Sequence, residues 1–131
     1  MKAKITSIPV LDQEKALQFY TEKLGFIKKH DVPLGENNRW LTVVSKDELN
    51  GVEILLEPSP NHFEPSKIYQ SALFDAGIPY TQFNVEDLQG EYDRLMALGV
   101  SFSMQPTAMG NVKIAILDDT CGNKIQLIEM L

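Results

Sequence analysis

Few residues of this chain can do acid–base, nucleophilic or metal chemistry. There are two histidines and one cysteine among 131 residues. His30 stands in the charged run Lys28-Lys29-His30-Asp31 and His62 in the turn-rich Ser59-Pro60-Asn61-His62, so both read as exposed rather than as ligands. Cys121 follows Asp118 and Asp119 closely. Neighbouring carboxylates disfavour the thiolate, the nucleophilic form of cysteine, so no nucleophile is expected there. A phosphate-cradling glycine loop, a zinc spacing of Cys and His, and a Ser-His-Asp order are all missing. What remains is polar rather than reactive. Gln126 could orient a ligand through its amide, Tyr80 could donate a hydrogen bond or act as an acid, and Ser7, Gln82 and Asn84 alternate as pocket-lining positions. Trp40 could stack on an aromatic ligand, or sit in the core or in a subunit interface.

The stretch that must position Gln126 is Asp118-Asp119-Thr120-Cys121-Gly122-Asn123-Lys124-Ile125-Gln126-Leu127-Ile128-Glu129. It reads as an acidic turn feeding a strand, with Ile114–Leu117 as the preceding strand of a hairpin. Gly122 and Asn123 are the residues expected to take left-handed backbone. Beyond the turn, Ile125, Leu127 and Glu129 fall on one strand face and Gln126 and Ile128 on the other, which is expected to look inward.

The same grammar appears twice. Ile5–Val10 is a predicted strand, Asp12 a helix cap, Leu17, Tyr20 and Leu24 a helical stripe, and Gly25 a stop. Strands follow from Phe26, over Trp40–Val44 and over Val52–Glu57, with Pro33–Asn38 as a loop. Then Tyr80–Val85 is a strand, Asp87 caps a helix carrying Leu88, Tyr92, Leu95 and Met96, and Gly99 stops it. Val100–Phe102 is the next strand, Pro106–Asn111 a loop, and the hairpin closes the pattern. One β-α-β-β-β module is used twice: module one over 1–58, a linker with a short helix capped by Ser66 over 59–79, and module two over 80–131. Cap, stop and strand recurring in order is a stronger signal than any single element.

Length and charge bound the rest. A chain of 131 residues is expected to form one domain with its own core. A net charge of −6 argues against nucleic acid, whose phosphates need a basic footprint. With a single cysteine, no signal-peptide pattern at the N-terminus and no apolar run long enough for a bilayer, a cytoplasmic protein is expected.

The doubled module, the segment Phe19-Tyr20 to Leu24-Gly25-Phe26, the phrase Leu56-Glu57-Pro58 and the closing Asp119-Thr120-Cys121-Gly122-Asn123…Ile125-Gln126-Leu127 resemble the vicinal oxygen chelate superfamily of glyoxalases, bleomycin-resistance proteins and extradiol dioxygenases. The resemblance covers essentially the whole chain. It implies an α+β fold in which the two βαβββ modules form a curved, incompletely closed mixed sheet with helices outside and a ligand on the concave face. It also implies a homodimer. Enzymes of that family hold a divalent metal with one residue from each of four strands, commonly His or Glu. Carried over, those positions fall on Ile5, Ile54, Tyr80 and Gln126. A divalent ion needs several N or O donors at about 2.0–2.6 Å. Ile5 and Ile54 have none, and Tyr80 would have to lose a proton whose ordinary pKa is near 10. No metal or other cofactor is therefore expected, unless a bulge shifts the register and brings in Glu53.

The expected function is metal-independent binding of a small, partly apolar organic molecule, with Ile5, Ser7, Ile54, Tyr80, Gln82, Gln126 and Trp40 lining the pocket. The competing expectation is a lyase, isomerase or dioxygenase of the same superfamily, metal-dependent through Glu53 or assisted by Tyr80. A third is a cup filled by its own side chains and used for protein interaction.

Overall fold

The protein is described from a computed structural model covering residues 1–131. Each half of the repeat begins on a strand that runs into an aspartate cap. β1 (Ile5–Pro9) leads to α1 (Gln13–Gln18), and Asp12 accepts a hydrogen bond from the Lys15 backbone N–H at 3.0 Å. β5 (Thr81–Asn84) leads to α4 (Leu88–Ala97), where Asp87 accepts from the Gly90 N–H, also at 3.0 Å. Both caps have extended backbone, which turns their side chains back onto the first helical turn. Gly25 and Gly99 end the two helical segments at φ +85° and +84°, where a Cβ would be strained. After α1 the helix widens into a π-helical stretch, Phe19–Lys23, in which the Leu24 N–H reaches back to the Phe19 carbonyl.

The remaining elements of the first half are β2 (Ile27–Pro33), β3 (Arg39–Val44) and β4 (Glu53–Glu57). Two helices follow, α2 (Ser59–His62) and α3 (Glu64–Asp75). The second half is completed by β6 (Phe102–Met109), β7 (Val112–Asp118) and β8 (Lys124–Met130). The fold is α+β: two four-stranded mixed sheets with helices, in the orders β1-β4-β3-β2 and β5-β8-β7-β6, not closed into a barrel. In each sheet the first strand pairs parallel with the last, and the other pairs are antiparallel. The chain divides into two compact units, Met1–Ile68 and Tyr69–Leu131, with the boundary inside α3. No helix is long and apolar enough to cross a membrane.

Each sheet has a helix-covered face. In the first unit that face carries Ile8, Leu41, Val43, Ile54 and Leu56, all buried against a helical segment whose Ala16 and Tyr20 are also fully buried. In the second it carries Ala115, Leu117, Ile125 and Leu127, with Leu88 and Leu95 from α4. Burying each large aliphatic side chain here is worth roughly 1.5–3 kcal/mol.

Three expectations fail for identifiable reasons. Pro106 does not open a loop, because β6 runs through it to Met109. β6 is an edge strand, and its register shifts between Met104 and Thr107, so the missing N–H costs no ladder bond. Ser66 is not a cap, since α3 starts earlier, and its hydroxyl instead meets that of Ser59 at 3.1 Å. In the acidic turn the left-handed residues are Thr120 (φ +62°) and Gly122 (φ +101°), not Asn123. Asn123 is buried and donates from Nδ2 to Asp119.

Candidate functional site

The face of the first sheet opposite α1 is fixed by strand pairing. Ile5 stands opposite Glu53 and Ser7 opposite Leu55, while Thr42 pairs with Leu55 on the other side. On the next strand His30 pairs with Thr42 and Val32 with Trp40. Partners across a ladder share a face, so Ile5, Ser7, Glu53, Thr42, Trp40 and His30 belong together. Ile54 does not. It lies one residue out of phase, is 5% exposed and faces the helix with Val43 and Leu56. Ile54, expected in the pocket, thus lies on the helix-covered face, and no bulge in β4 is needed to put Glu53 on the face of Ile5. Sequence alone left the phase of Val52–Glu57 open, since Ile54, Leu55 and Leu56 are all apolar. The ladder settles it.

Glu53 is the centre of a polar cluster that sequence reasoning missed. Its Oε1 accepts the Thr42 hydroxyl at 2.8 Å and lies 2.9 Å from His30 Nδ1; its Oε2 lies 3.7 Å from Lys29 Nζ. Thr42 is fully buried and also accepts the His30 backbone N–H at 3.2 Å. Burial alone would raise the Glu53 carboxyl. Hydrogen bonds from Thr42 and His30, with the charges of Lys29 and His30, outweigh it and hold the group below the usual glutamate range. His30 read as a solvated charge in the sequence because Lys28 and Lys29 precede it. The irregularity between Lys28 and His30 absorbs Lys29 and turns the imidazole onto the Glu53 face.

In the second unit Gln82 stands directly opposite Gln126, and Gln126 Nε2 donates to Gln82 Oε1 at 2.9 Å. Ile114 and Ile116, neighbours of Ile128 and Gln126 on β7, share that face. It is the face away from Ile125, Leu127 and α4, so Gln126 is partly exposed rather than packed in the core. Tyr80 is half-buried just before β5, with its backbone N–H on the Lys124 carbonyl. The structure thus groups Ile5, Ser7 and Trp40 in one unit, and Gln82 with Gln126 in the other.

The acidic turn is structural. Asp119 is fully buried; its Oδ1 accepts the Cys121 and Asn123 N–H groups at 2.7 and 3.0 Å and its Oδ2 accepts the Asn123 side chain at 2.8 Å. Gln70 of α3, 3% exposed, donates to Asn123 Oδ1 at 3.1 Å. A Cβ on Gly122 would stand 2.8 Å from the Gln70 amide nitrogen, so closeness as well as φ demands glycine. The Cys121 thiol is 1% exposed, sealed from any substrate.

A depression of about 480 Å³ lies elsewhere in the first unit, where the β2–β3 loop meets the start of α1. Its Arg39 is held by Asp31 at 2.8 Å and Glu14 at 3.0 Å, and Gln13 already serves the Arg39 backbone and the Leu56 carbonyl. Arg39 and Gln13 are thus held by partners within the protein.

The inherited metal positions do not fit a divalent ion. Ile5 and Ile54 offer no donor, which leaves only the Tyr80 hydroxyl and the Gln126 side-chain oxygen, and the nearby Glu53 is neighboured by the cation of Lys29. No three His, Cys, Asp or Glu side chains come together.

Comparison with known proteins agrees with this architecture. Residues 3–127 match the Glyoxalase/Bleomycin resistance protein/Dioxygenase superfamily. The uncharacterized protein YurT of Bacillus subtilis (strain 168) is 55% identical over 129 residues, covering 98% of this chain and 99% of that one. The crystal structure of UcmS2 has a TM-score of 0.83 at 34% identity, covering 98% of each chain. That of TnmS3, an antibiotic binding protein from Streptomyces sp. CB03234, has a TM-score of 0.75 at 27% identity, covering 100% of this chain and 97% of that one. From its doubled module through its acidic turn, this chain belongs to the Glyoxalase/Bleomycin resistance protein/Dioxygenase superfamily.

Proposed function

We propose that this protein binds a small, partly apolar organic molecule without a metal ion. The observation that carries the reading is the residue set on the helix-free faces. Ile5 and Trp40 bring exposed apolar surface, and Gln82 and Gln126 bring neutral amides. A mostly apolar surface with a few fixed polar groups is the usual make-up of a small-molecule site. The likeness to TnmS3, an antibiotic binding protein, supports it from outside. In this reading the ligand-binding residues are Ile5, Ser7 and Trp40 in the first unit, and Tyr80, Gln82 and Gln126 in the second. It also includes a homodimer in the cytoplasm, checked by light scattering and by fractionation.

The test is titration of chelator-treated protein with a panel of antibiotics, bleomycin among them, followed by calorimetry and by fluorescence of Trp40, the sole tryptophan. Saturable binding unchanged by chelator is expected. Stoichiometric uptake of Zn, Ni, Mn or Fe together with metal-dependent ligand binding would overturn it.

The competing reading is a metal-dependent or Tyr80-assisted lyase, isomerase or dioxygenase. The placement of Glu53 on the face of Ile5 favours it. Turnover in glyoxalase, epimerase or ring-cleavage assays, lost on Glu53→Gln or Tyr80→Phe, would decide for it.

A further inference from the structure

The polar cluster of the first unit has a chemical direction. Thr42 and the His30 ring both point at Glu53 Oε1, and Lys29 neighbours Oε2. The carboxyl is held in its ionised form, which accepts hydrogen bonds and donates none. His30 Nδ1 must therefore carry a hydrogen. In the neutral imidazole the other nitrogen, Nε2, then keeps its lone pair. Nδ1 and Nε2 lie on opposite sides of the ring, so Nε2 points away from Glu53. The His30 side chain is 48% exposed, and its ring hydrogen bonds, to Glu53 and Thr42, fall on Nδ1. A hydrogen-bond acceptor is thus locked in one tautomer by a buffered carboxylate and a buried threonine, and presented outward.

Its surroundings select what it would accept from. Val32, 50% exposed, follows His30 on the same face of β2; Trp40, 36% exposed, pairs with Val32. Diagonal neighbours on a sheet face stand about 7–8 Å apart. That is the span of a two-ring planar molecule resting on the Trp40 side and reaching His30 with an edge group.

We infer that His30, fixed by Glu53 and Thr42, is the polar anchor for the ligand: its Nε2 accepts a hydrogen bond from a hydroxyl or N–H on a planar aromatic molecule that lies over Trp40 and Val32. The inference rests on the small-molecule reading above and adds the ligand's class, an aromatic hydrogen-bond donor.

The test uses a matched pair of probes at pH about 8, above the ordinary imidazole range. 2-Naphthol carries the donor; 2-methoxynaphthalene has the same rings without it. Calorimetry on the full chain is expected to show 2-naphthol binding more tightly by about tenfold, the worth of one hydrogen bond. In His30→Phe, which keeps a flat ring, the two probes are expected to bind alike. Long-range proton–nitrogen spectra of the unliganded protein should show a protonated Nδ1 and an unprotonated Nε2 on His30, with Nε2 shifting on addition of 2-naphthol only. His30→Gln, which restores an acceptor, should recover part of the preference. Equal affinity for the two probes, a preference that survives His30→Phe, failure of both probes to bind, or an Nε2-protonated neutral ring would each overturn the anchor. If the antibiotic panel binds wild type and His30→Phe equally, the anchor falls while the small-molecule reading stands. If neither panel nor probes bind, both fall.

Discussion

The two halves of this chain solve their packing problem alike and treat their helix-free faces differently. Asp12 and Asp87 cap, Gly25 and Gly99 stop, and the first strand of each sheet pairs parallel with the last. Yet where the first unit sets a threonine, an imidazole and a lysine around the Glu53 carboxylate, the second sets two amides, Gln82 and Gln126, against each other. Core-facing positions answer to packing density, which punishes change on both copies equally. Helix-free positions answer only to what they must touch. The two faces therefore offer different chemistry: a charged, directional hydrogen-bonding group in one, a neutral amide pair in the other. The β-turns differ too. The β7–β8 connection is built around buried Asp119, whereas Asp47 in the β3–β4 connection is exposed.

That contrast between turns yields the largest expected effect. Asp119→Ala removes an acceptor from two backbone N–H groups and from the Asn123 amide, all buried. Leaving such donors without a partner costs on the order of 3 kcal/mol. Asp47→Ala is expected to change stability by about 0.5 kcal/mol or less, as surface substitutions do. Urea unfolding of both variants measures the gap. Similar losses for the two would mean that the halves are stabilised at their turns in the same way.

The Glu53 cluster comes next. Glu53→Gln keeps an oxygen for Thr42 but removes the charge that Lys29 and His30 face, and an expected cost of about 1–2 kcal/mol at neutral pH follows from the worth of charge-assisted hydrogen bonds. The acid limb gives the sign. Glu53 is depressed in the folded state, burial opposing but outweighed by Thr42, His30 and Lys29; Asp31 is depressed by the Arg39 hydrogen bond, against a desolvation cost. A carboxylate depressed on folding contributes stability above its unfolded pKa of about 4 and loses it as pH falls through the lower folded value. Wild type should lose stability between about pH 5 and the folded values, and Glu53→Gln should lose less over that window. The inverse change in the second unit, Gln126→Glu, should steepen no such limb, since no cation of that unit is paired with Gln126. Parallel acid limbs for wild type and Glu53→Gln would remove the electrostatic distinction between the two faces.

Much of this was legible in the sequence, and the failures share a cause. Caps and stops are local chemistry: Asp12, Asp87, Gly25 and Gly99 act within one helical turn, so their types and positions sufficed. The repeat made the module order readable. Phase was harder. Ile54-Leu55-Leu56 is apolar on both faces, and only the pairing of Ile5 with Glu53 shows which residue looks which way. His30 was hidden by its neighbours, because nothing local announces the irregularity that takes Lys29 out of step. Gln13 and Gln70 carry no local signal of burial, yet both are buried as long-range hydrogen-bonding struts, Gln13 to Arg39 and Leu56 and Gln70 to Asn123. Their partners are distant in sequence, beyond the reach of any periodicity.

The smallest effect is one of equality. Asp12 and Asp87 are both exposed, both extended in backbone, and each accepts one N–H at 3.0 Å. Substitution of either by alanine should cost about 1 kcal/mol, the usual value of an N-cap. The helices they start are not equal, however. α1 spans six residues before the π-helical stretch, and α4 spans ten. If helix length governed the loss, Asp12→Ala would cost more, because a short helix has fewer hydrogen bonds to offset its nucleation. If packing governs, the losses should match, since Ala16 and Tyr20 in the first unit and Leu88 and Leu95 in the second are all buried. We expect the match: tertiary burial holds both helices, and the cap supplies only its own hydrogen bond. Thermal unfolding of Asp12→Ala, Asp87→Ala and the double variant reads this directly, with the double variant losing the sum of the two because the caps share no partner.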